Sequence, residues 1–129
     1  MNDLARTMSL SASGLKAQAA RIKHVSENIS NVDTPGYRRK TVAFTLEETG
    51  TETRAVRTGP VRLSQADRER IHDPSHPLAD ASGTYEGSNV DLMIEIADAR
   101  QAQRSYEANL KAFDQARQMM AGLLDLIKR

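Results

Sequence analysis

The sequence contains no cysteine, no tryptophan and only two phenylalanines among its 129 residues. The absence of cysteine excludes disulfide bonds, thiolate metal sites and thiol catalysis. No run of apolar residues is longer than three, so no segment is long enough to span a bilayer. Leucine, isoleucine, valine and phenylalanine together account for only 25 residues. This composition predicts a thin hydrophobic core rather than a compact enzyme with a deep pocket.

Neither sign of charge dominates the chain, because 18 Lys and Arg oppose 17 Asp and Glu. Basic residues exceed acidic ones by four in residues 1–40, acidic residues exceed basic ones by three in residues 41–89, and the remainder is balanced. Such weak charge separation does not predict nucleic-acid binding, and a nearly neutral chain is not typically disordered. The N-terminus also lacks the basic start and apolar stretch of a cleaved secretory signal, so we expect none.

Residues 3–31 are predicted to form one amphipathic helix. Large apolar residues recur on one face at intervals of seven: Met8, Leu15, Ile22 and Ile29. The sequence Asp33-Thr34-Pro35-Gly36 then signals a stop and a turn. In this turn Gly36 is expected to adopt a positive φ angle.

Residues 88–129 are predicted to form a longer helix, with Ser88 or Asn89 as its N-cap. Its residues follow a heptad pattern over five to six repeats, which is typical of coiled-coil packing within or between chains. The first series of this pattern is Leu92, Ala99, Tyr106, Phe113, Met120 and Ile127. The second series is Ile96, Gln103, Leu110, Arg117 and Leu124.

Residues 37–87 are predicted to form a small β-rich or irregular insert between the helices. Val42, Phe44 and Leu46 alternate with smaller or polar residues, which is the period of a strand, and residues 53–58 could pair with it. The sequence therefore predicts a mainly α protein whose terminal segments, 1–36 and 88–129, pack as a coiled-coil-like pair and form one domain. At about 1.5 Å per residue the second helix would extend roughly 20 Å beyond the first, so we expect other chains to cover its apolar stripe.

No residue pattern indicates catalysis or a bound cofactor. His72 and His76 have a spacing that could bind zinc on a helix, but Pro74 and Pro77 make a helix improbable there. Neither a phosphate-binding glycine loop nor a nucleophile motif occurs. We therefore predict no metal, no cofactor and no enzymatic activity.

The segment from Glu27 to Lys40 reads ENISNVDTPGYRRK. Its Asn-Ile-small-Asn run followed by Thr-x-Gly-Tyr resembles the N-terminal signature of the bacterial flagellar rod, hook and hook-associated family. Two further stretches, HPLADASG with NVD in residues 76–91 and RSYEAN in residues 104–109, are similar to one proximal-rod type within that family. The short stretch before Tyr37 is closer to the sister proximal-rod subunit FlgB, and the family more often has Ala at the positions of Glu27 and Ser30.

The resemblance implies a structural subunit of the proximal rod in the flagellar basal body, which transmits torque across the periplasm. It implies export through the flagellar type III export apparatus without a cleaved signal peptide. The implied partners are other copies of the chain, rod proteins of the FlgB and FlgF types and the rod-base protein FliE; neither nucleic acid nor direct membrane insertion is expected. A FlgB-type subunit and a soluble homodimeric helical interaction protein are the alternatives.

The resemblance also implies that the terminal helices carry the contacts between subunits. The large apolar residues of both helices would form a seam, while Asn28 and Asn31 would bond backbone groups at the turn, or serve as ordinary C-cap residues. The predicted interface residues are Leu15, Ile22, Asn28, Ile29, Asn31, Gly36, Tyr37, Leu92, Ile96, Tyr106, Asn109, Leu110, Phe113, Met120 and Leu124.

Overall fold

Two long helices joined by a strand-containing insert make up the protein, and the predicted fold class is confirmed. The computed structural model describes residues 2–50 and 53–128, so the outermost residues of the predicted terminal segments and two residues of the insert lie outside the described part. Helix α1 spans Asn2–Ser30 and helix α2 spans Leu92–Lys128. Between them the described residues form six short strands: β1 (Lys40–Thr41), β2 (Phe44–Thr49), β3 (Thr53–Thr58), β4 (Arg62–Leu63), β5 (Arg70–His72) and β6 (Thr84–Glu86).

The two helices pack side by side in opposite directions. Three contacts along the pair fix this direction: Gly14 with Asn109, Arg21 with Asp98, and Asn28 with Glu95. The buried apolar residues are Ala17, Val25, Ala102 and Ala116. Because most of these side chains are methyl groups, the helix axes can approach closely.

Gly14 of α1 lies directly against Asn109 of α2. A Cβ atom at this position would lie 2.9 Å from Oδ1 of Asn109, which is closer than such atoms pack in proteins. The amide of Asn109 is held in place because its Nδ2 donates to the carbonyl of Ser105 at 3.0 Å. Gly14 therefore makes room for a fixed polar side chain on the facing helix.

Helix α2 extends beyond α1 at its C-terminal end. The pairing of Gly14 with Asn109 sets Asn2 level with Ala121, so residues 122–128 have no part of α1 beside them. At 1.5 Å per residue this overhang is roughly 10 Å long, about half the length predicted from the sequence. Neither helix, over its described residues, combines the length and the apolarity that a membrane crossing requires.

The N-cap of α2 lies later in the chain than predicted. Oδ1 of Asp91 accepts a hydrogen bond from the backbone N–H of Met93 at 3.0 Å, which makes Asp91 the capping residue. The prediction of Ser88 or Asn89 as the cap is wrong, because the side chains of both residues bond to other segments of the chain.

The described part of the insert consists of three two-stranded antiparallel sheets. β2 and β3 pair from Phe44 opposite Thr58 to Thr49 opposite Thr53, which confirms the pairing with residues 53–58, although β2 begins at Phe44 rather than at Val42. This hairpin is attached to α1, because the backbone N–H of Val56 donates to Oγ of Ser13 at 2.9 Å. β1 pairs with β4 and β5 with β6, and both pairs lie close to the point where the chain leaves α1 and enters α2.

Candidate functional site: a polar junction and an open helical face

A cluster of hydrogen-bonded polar side chains joins the end of α1, the start of β1 and the first turn of α2. This polar junction consists of Asn28, Tyr37, Arg39, Lys40, Asn89 and Glu95. Asn28 and Glu95 are its two fully buried members, and they come from the ends of different helices. The junction therefore determines how α1, the turn and α2 are positioned relative to one another.

Asn28 uses all of its hydrogen-bonding capacity inside the junction. Its Nδ2 donates to the carbonyl of Lys40 at 2.9 Å and to Oε2 of Glu95 at 3.2 Å. Its Oδ1 accepts from the hydroxyl of Tyr37 at 2.8 Å and from the backbone N–H of Lys40 at 2.9 Å. An asparagine offers two donors and two acceptor positions. The side chain thus acts as a strand partner for Lys40 and fixes the path of β1.

Glu95 is a carboxylate with no exposed side-chain surface. Its Oε1 accepts from Nε of Arg39, while its Oε2 accepts from Asn28. An unpaired charge at such a position would be strongly destabilising, so Arg39 is required for Glu95 to be buried here. Arg39 also lies 4.0 Å from Asp98, which is paired with Arg21 of α1. Alternating charges therefore connect the two helices beside the junction.

Three side chains at the edge of the junction have shifted pKa values. Nζ of Lys40 donates to Oε2 of Glu27 at 2.7 Å, which lowers the pKa of the Glu27 carboxyl and raises that of the Lys40 ammonium. Burial raises the pKa of the Tyr37 hydroxyl. The shifts favour the charged forms of Glu27 and Lys40 and the protonated form of Tyr37, which are the states that their hydrogen bonds require.

The turn after α1 is held by Asn31 and Gly36. Nδ2 of Asn31 donates to the carbonyl of Glu27 at 2.8 Å, and its Oδ1 accepts from the hydroxyl of Thr34 at 3.0 Å. Gly36 has a φ angle of 77°, and its N–H donates to the carbonyl of Gly87 at 3.1 Å. The predictions that Asn28 and Asn31 bond backbone groups, and that Gly36 needs a positive φ angle, are therefore confirmed.

Sequence reasoning did not find the roles of Asn89, Arg39 and Glu95. Oδ1 of Asn89 accepts from the backbone N–H of Arg39 at 2.6 Å, and its Nδ2 donates to the carbonyls of Ser64 and Ala66 at 3.0 Å. Asn89 lies in the NVD segment that resembles the flagellar family, and this was the one signal for a role of Asn89 beyond helix capping. A signal for Glu95 exists in the sequence, because it stands seven residues before Ala102 on the face of α2 that meets α1.

The loop between β5 and β6 is held together by a carboxylate. Asp80 accepts from the N–H of Ser82 at 2.9 Å, from its hydroxyl at 2.6 Å and from the N–H of Thr84 at 3.1 Å. These bonds lower the pKa of Asp80 to about 2. In the same loop His76 stacks on Tyr85 with ring centroids 3.9 Å apart. The described residues contain no group of acidic or histidine side chains placed to hold a metal ion.

Large apolar side chains of α2 lie on its surface. Met93, Leu126 and Ile127 are 77%, 66% and 70% exposed. From the first residue of the helix to its overhang, four predicted interface residues are each between 38% and 43% exposed: Leu92, Ile96, Leu110 and Leu124. The other large apolar members of the predicted interface are half-buried: Leu15, Ile22, Ile29, Tyr106, Phe113 and Met120.

Leu15 and Ile29 of α1 and Ile96 and Leu110 of α2, all predicted interface residues, lie on one side of the helix pair. Leu15 and Leu110 each follow a residue of the facing pair Gly14 and Asn109. Two antiparallel helices are related by a twofold axis perpendicular to the plane that contains them. On each helix the residue after a contacting residue is rotated by about 100° from the contact, and the twofold axis places both of these residues on the same side of the pair. The same holds for Ile29 and Ile96, which follow Asn28 and Glu95.

The β2–β3 hairpin lies on the opposite side of the pair. Ser13 accepts the hydrogen bond from the hairpin. Because Ser13 precedes Gly14, its side chain is rotated about 100° from the contact in the direction opposite to that of Leu15. The apolar side is thus left open by the insert. We name this side the open face and define it by Leu15, Ile22, Ile29, Leu92, Ile96, Leu110 and Leu124.

Comparison with known proteins identifies the family. The family model for flagella basal body rod proteins matches residues 8–38, and that for the C-terminal part of flagellar basal body rod FlgEFG proteins matches residues 81–126. The flagellar basal-body rod protein FlgC of Agrobacterium fabrum is 40% identical over 99% of this chain and 98% of its own length. The chain belongs to the FlgC family of flagellar basal-body rod proteins. The FlgC protein of Salmonella typhimurium is 33% identical over 91% of this chain and 92% of its own length. The FlgC protein of Bacillus subtilis is 29% identical over 95% of this chain and 97% of its own length.

Membership of the FlgC family makes the chain a structural subunit of the flagellar basal-body rod rather than an enzyme. Rod proteins associate with other rod components in the basal body. Both family models cover a helix together with part of the polar junction, since Asn28 and Tyr37 fall in the first matched range and Asn89 and Glu95 in the second. The matched regions are thus the parts of the chain that the junction holds together.

Proposed function

We propose that this FlgC-family chain occupies the proximal part of the rod, crosses the periplasm as part of it and transmits torque. In this proposal residues 1–36 and 88–129 form the rod domain, and residues 37–87 form an insert on its other side. The FlgC names of the relatives favour this position over that of the sister subunit FlgB. Passage through the flagellar type III export apparatus without a cleaved signal peptide belongs to the same proposal.

The open face supports assembly through the terminal helices. It collects large apolar residues from α1 and α2 on one side of the pair, and side chains such as Leu110 remain 40% exposed there. Apolar surface of this kind is stabilised when another protein covers it. We propose that other copies of the chain, together with rod proteins of the FlgB and FlgF types and the rod-base protein FliE, provide this cover.

The predicted interface residues have two different tasks in this proposal. Asn28, Asn31, Gly36 and Tyr37 fix the turn and thereby the angle at which α1 is presented. Asn109 fits against Gly14 inside the single chain. The large apolar residues of the open face, together with Tyr106, Phe113 and Met120, would make the contacts between subunits.

Replacing Leu110 by Asp tests this assignment. We expect the variant to be exported but to be missing from purified basal bodies, and the cells to be non-motile, because assembly would bury an unpaired charge at a cost of several kcal/mol. Immunoblots of the culture medium and of basal bodies, together with motility assays, measure these outcomes.

Gln115→Asp is the matched control, because Gln115 is exposed and projects about 140° away from Leu110. It should enter basal bodies normally. Urea unfolding should show that both purified variants remain folded, since Leu110 is 40% exposed and Gln115 is exposed within the single chain. Motile cells carrying Leu110→Asp would refute the role of the open face.

A further inference from the structure

The side of α2 next to the open face carries two acidic residues that match two basic residues on α1. Glu107 and Asp114 stand three residues before and four residues after Leu110, so they lie on the same side of the helix. Lys16 and Lys23 are both exposed on α1. Both pairs have a spacing of seven residues, so two basic residues on one helix can face two acidic residues on another.

These four charges are little used within the single chain. Oδ1 of Asp114 lies 3.9 Å from the guanidinium of Arg117 on the same helix. Lys23 lowers the pKa of Glu27 through space, although Glu27 takes its hydrogen bond from Lys40. The side chains of Lys16 and Glu107 form no hydrogen bond or ion pair with another described residue. All four side chains can therefore contact a neighbouring chain without breaking the fold.

Building on the proposed function, we propose that this side of α2 binds α1 of a second copy of the chain, antiparallel, with Lys16 facing Asp114 and Lys23 facing Glu107. This register is one heptad, roughly 10 Å, from the register within the chain. It sets Asn2 of the second copy level with Lys128, so the incoming α1 lies beside the overhang that the chain's own α1 leaves uncovered.

The register also places a small residue of the second copy opposite Arg117 of α2. Arg117 lies between Leu110 and Leu124 on this side of the helix and would fall within one residue of Ala12 of the second copy. Alanine is small enough to leave room for the long arginine side chain. The charges mainly select this alignment over its alternatives, while the apolar contacts supply most of the stabilisation.

Disulfide crosslinking tests this register, because the natural sequence contains no cysteine. One tagged copy would carry Ala12→Cys and a second, differently tagged copy Arg117→Cys, both produced in cells that lack the natural protein. Disulfide formation requires Cβ atoms roughly 4 Å apart. We expect a crosslinked pair carrying both tags in oxidised basal bodies. The matched control is Ala12→Cys with Gln103→Cys, on the same side of α2 but two heptads away, which should give no pair.

Charge reversal provides the second arm of the experiment. Lys16→Glu with Lys23→Glu in the copy that carries Ala12→Cys should reduce the crosslink about tenfold. Adding Glu107→Lys with Asp114→Lys to the partner copy should restore it. If the two Lys→Glu substitutions acted only by disturbing the fold of α1, the substitutions at Glu107 and Asp114 in the partner copy would not restore the crosslink.

The outcomes separate this inference from the proposed function. If neither tagged copy is found in basal bodies, the proposed function fails. If both copies are present and the Ala12–Arg117 crosslink does not form, another rod protein covers this side of α2 and the inference is overturned. Equal crosslinking at Gln103 would overturn the proposed register.

Discussion

Single polar side chains carry much of the architecture, and Asn28 is the clearest case. Its four hydrogen bonds reach the backbone of Lys40, the hydroxyl of Tyr37 and the buried carboxylate of Glu95. Asn28→Ala should lower the free energy of unfolding by about 3 kcal/mol, because it leaves several buried polar groups without a partner. Asn31→Ala, at the more exposed neighbouring position, should cost about 1 kcal/mol. Urea denaturation measures both, and equal effects would contradict the central position of Asn28.

Asp80 should make the loop between β5 and β6 sensitive to acid. Its pKa in the folded protein is about 2, against an ordinary value of 3.8. A carboxyl whose pKa is lower in the folded state stabilises the protein above the unfolded pKa. This contribution should be complete above about pH 5 and decrease from pH 4 to pH 2. The advantage of the natural protein over Asp80→Asn should shrink across that interval, and NMR titration of the carboxyl carbon should give the low pKa directly. A midpoint near 4 would contradict the bonds to Ser82 and Thr84.

The two helices could be predicted from their heptads, but the residues that pack between them could not. The heptads consist of large apolar residues, whereas the residues buried between the helices are mostly small: Gly14, Ala17, Ala102 and Ala116, with Val25 as the one larger apolar side chain. Small residues favour close packing of helices, yet in sequence they look the same as alanines that merely support helix formation. Which side of an amphipathic helix faces its partner depends on the rest of the fold.

Gly14 and Asn109 provide a test of this close packing. Gly14→Ala would gain about 1 kcal/mol of helix propensity, but the new Cβ would collide with the Asn109 amide. We expect the substitution to be neutral or destabilising in the natural background. In an Asn109→Ala background, where the amide is absent, the same substitution should stabilise the protein. A double-mutant cycle by urea unfolding measures the coupling, and additive effects would show that the two residues do not meet.

The short elements of the insert were harder to predict than the helices. The pairing of β2 with β3 followed from alternation over six residues. β1 and β4 are only two residues long, and their positions depend on Asn28 and Asn89, which lie far away in the sequence. Ser88 and Asn89 have good capping side chains, but in the folded chain these bond to Val32, Arg39, Ser64 and Ala66. Tertiary contacts therefore override a local preference.

At the scale of the whole molecule, the sequence predicted that the longer helix would leave apolar surface for neighbours. The structure confirms that α2 extends past α1, although the overhang is shorter than predicted. The structure adds that one side of the pair is open and the other carries the hairpin. Which side of the pair is open follows only from the contacts of Gly14 with Asn109 and of Ser13 with Val56, which the sequence does not show.

The antiparallel arrangement also gives the molecule a direction. The first residues of α1 and the last residues of α2 lie together at one pole, whereas the polar junction lies at the other. Copies that stack in a common orientation would produce a polymer whose two tips differ in chemistry, one made of helix ends and the other of loops. Adding a subunit at one tip is then a different reaction from adding it at the other, so the fold of the monomer is sufficient to make growth directional.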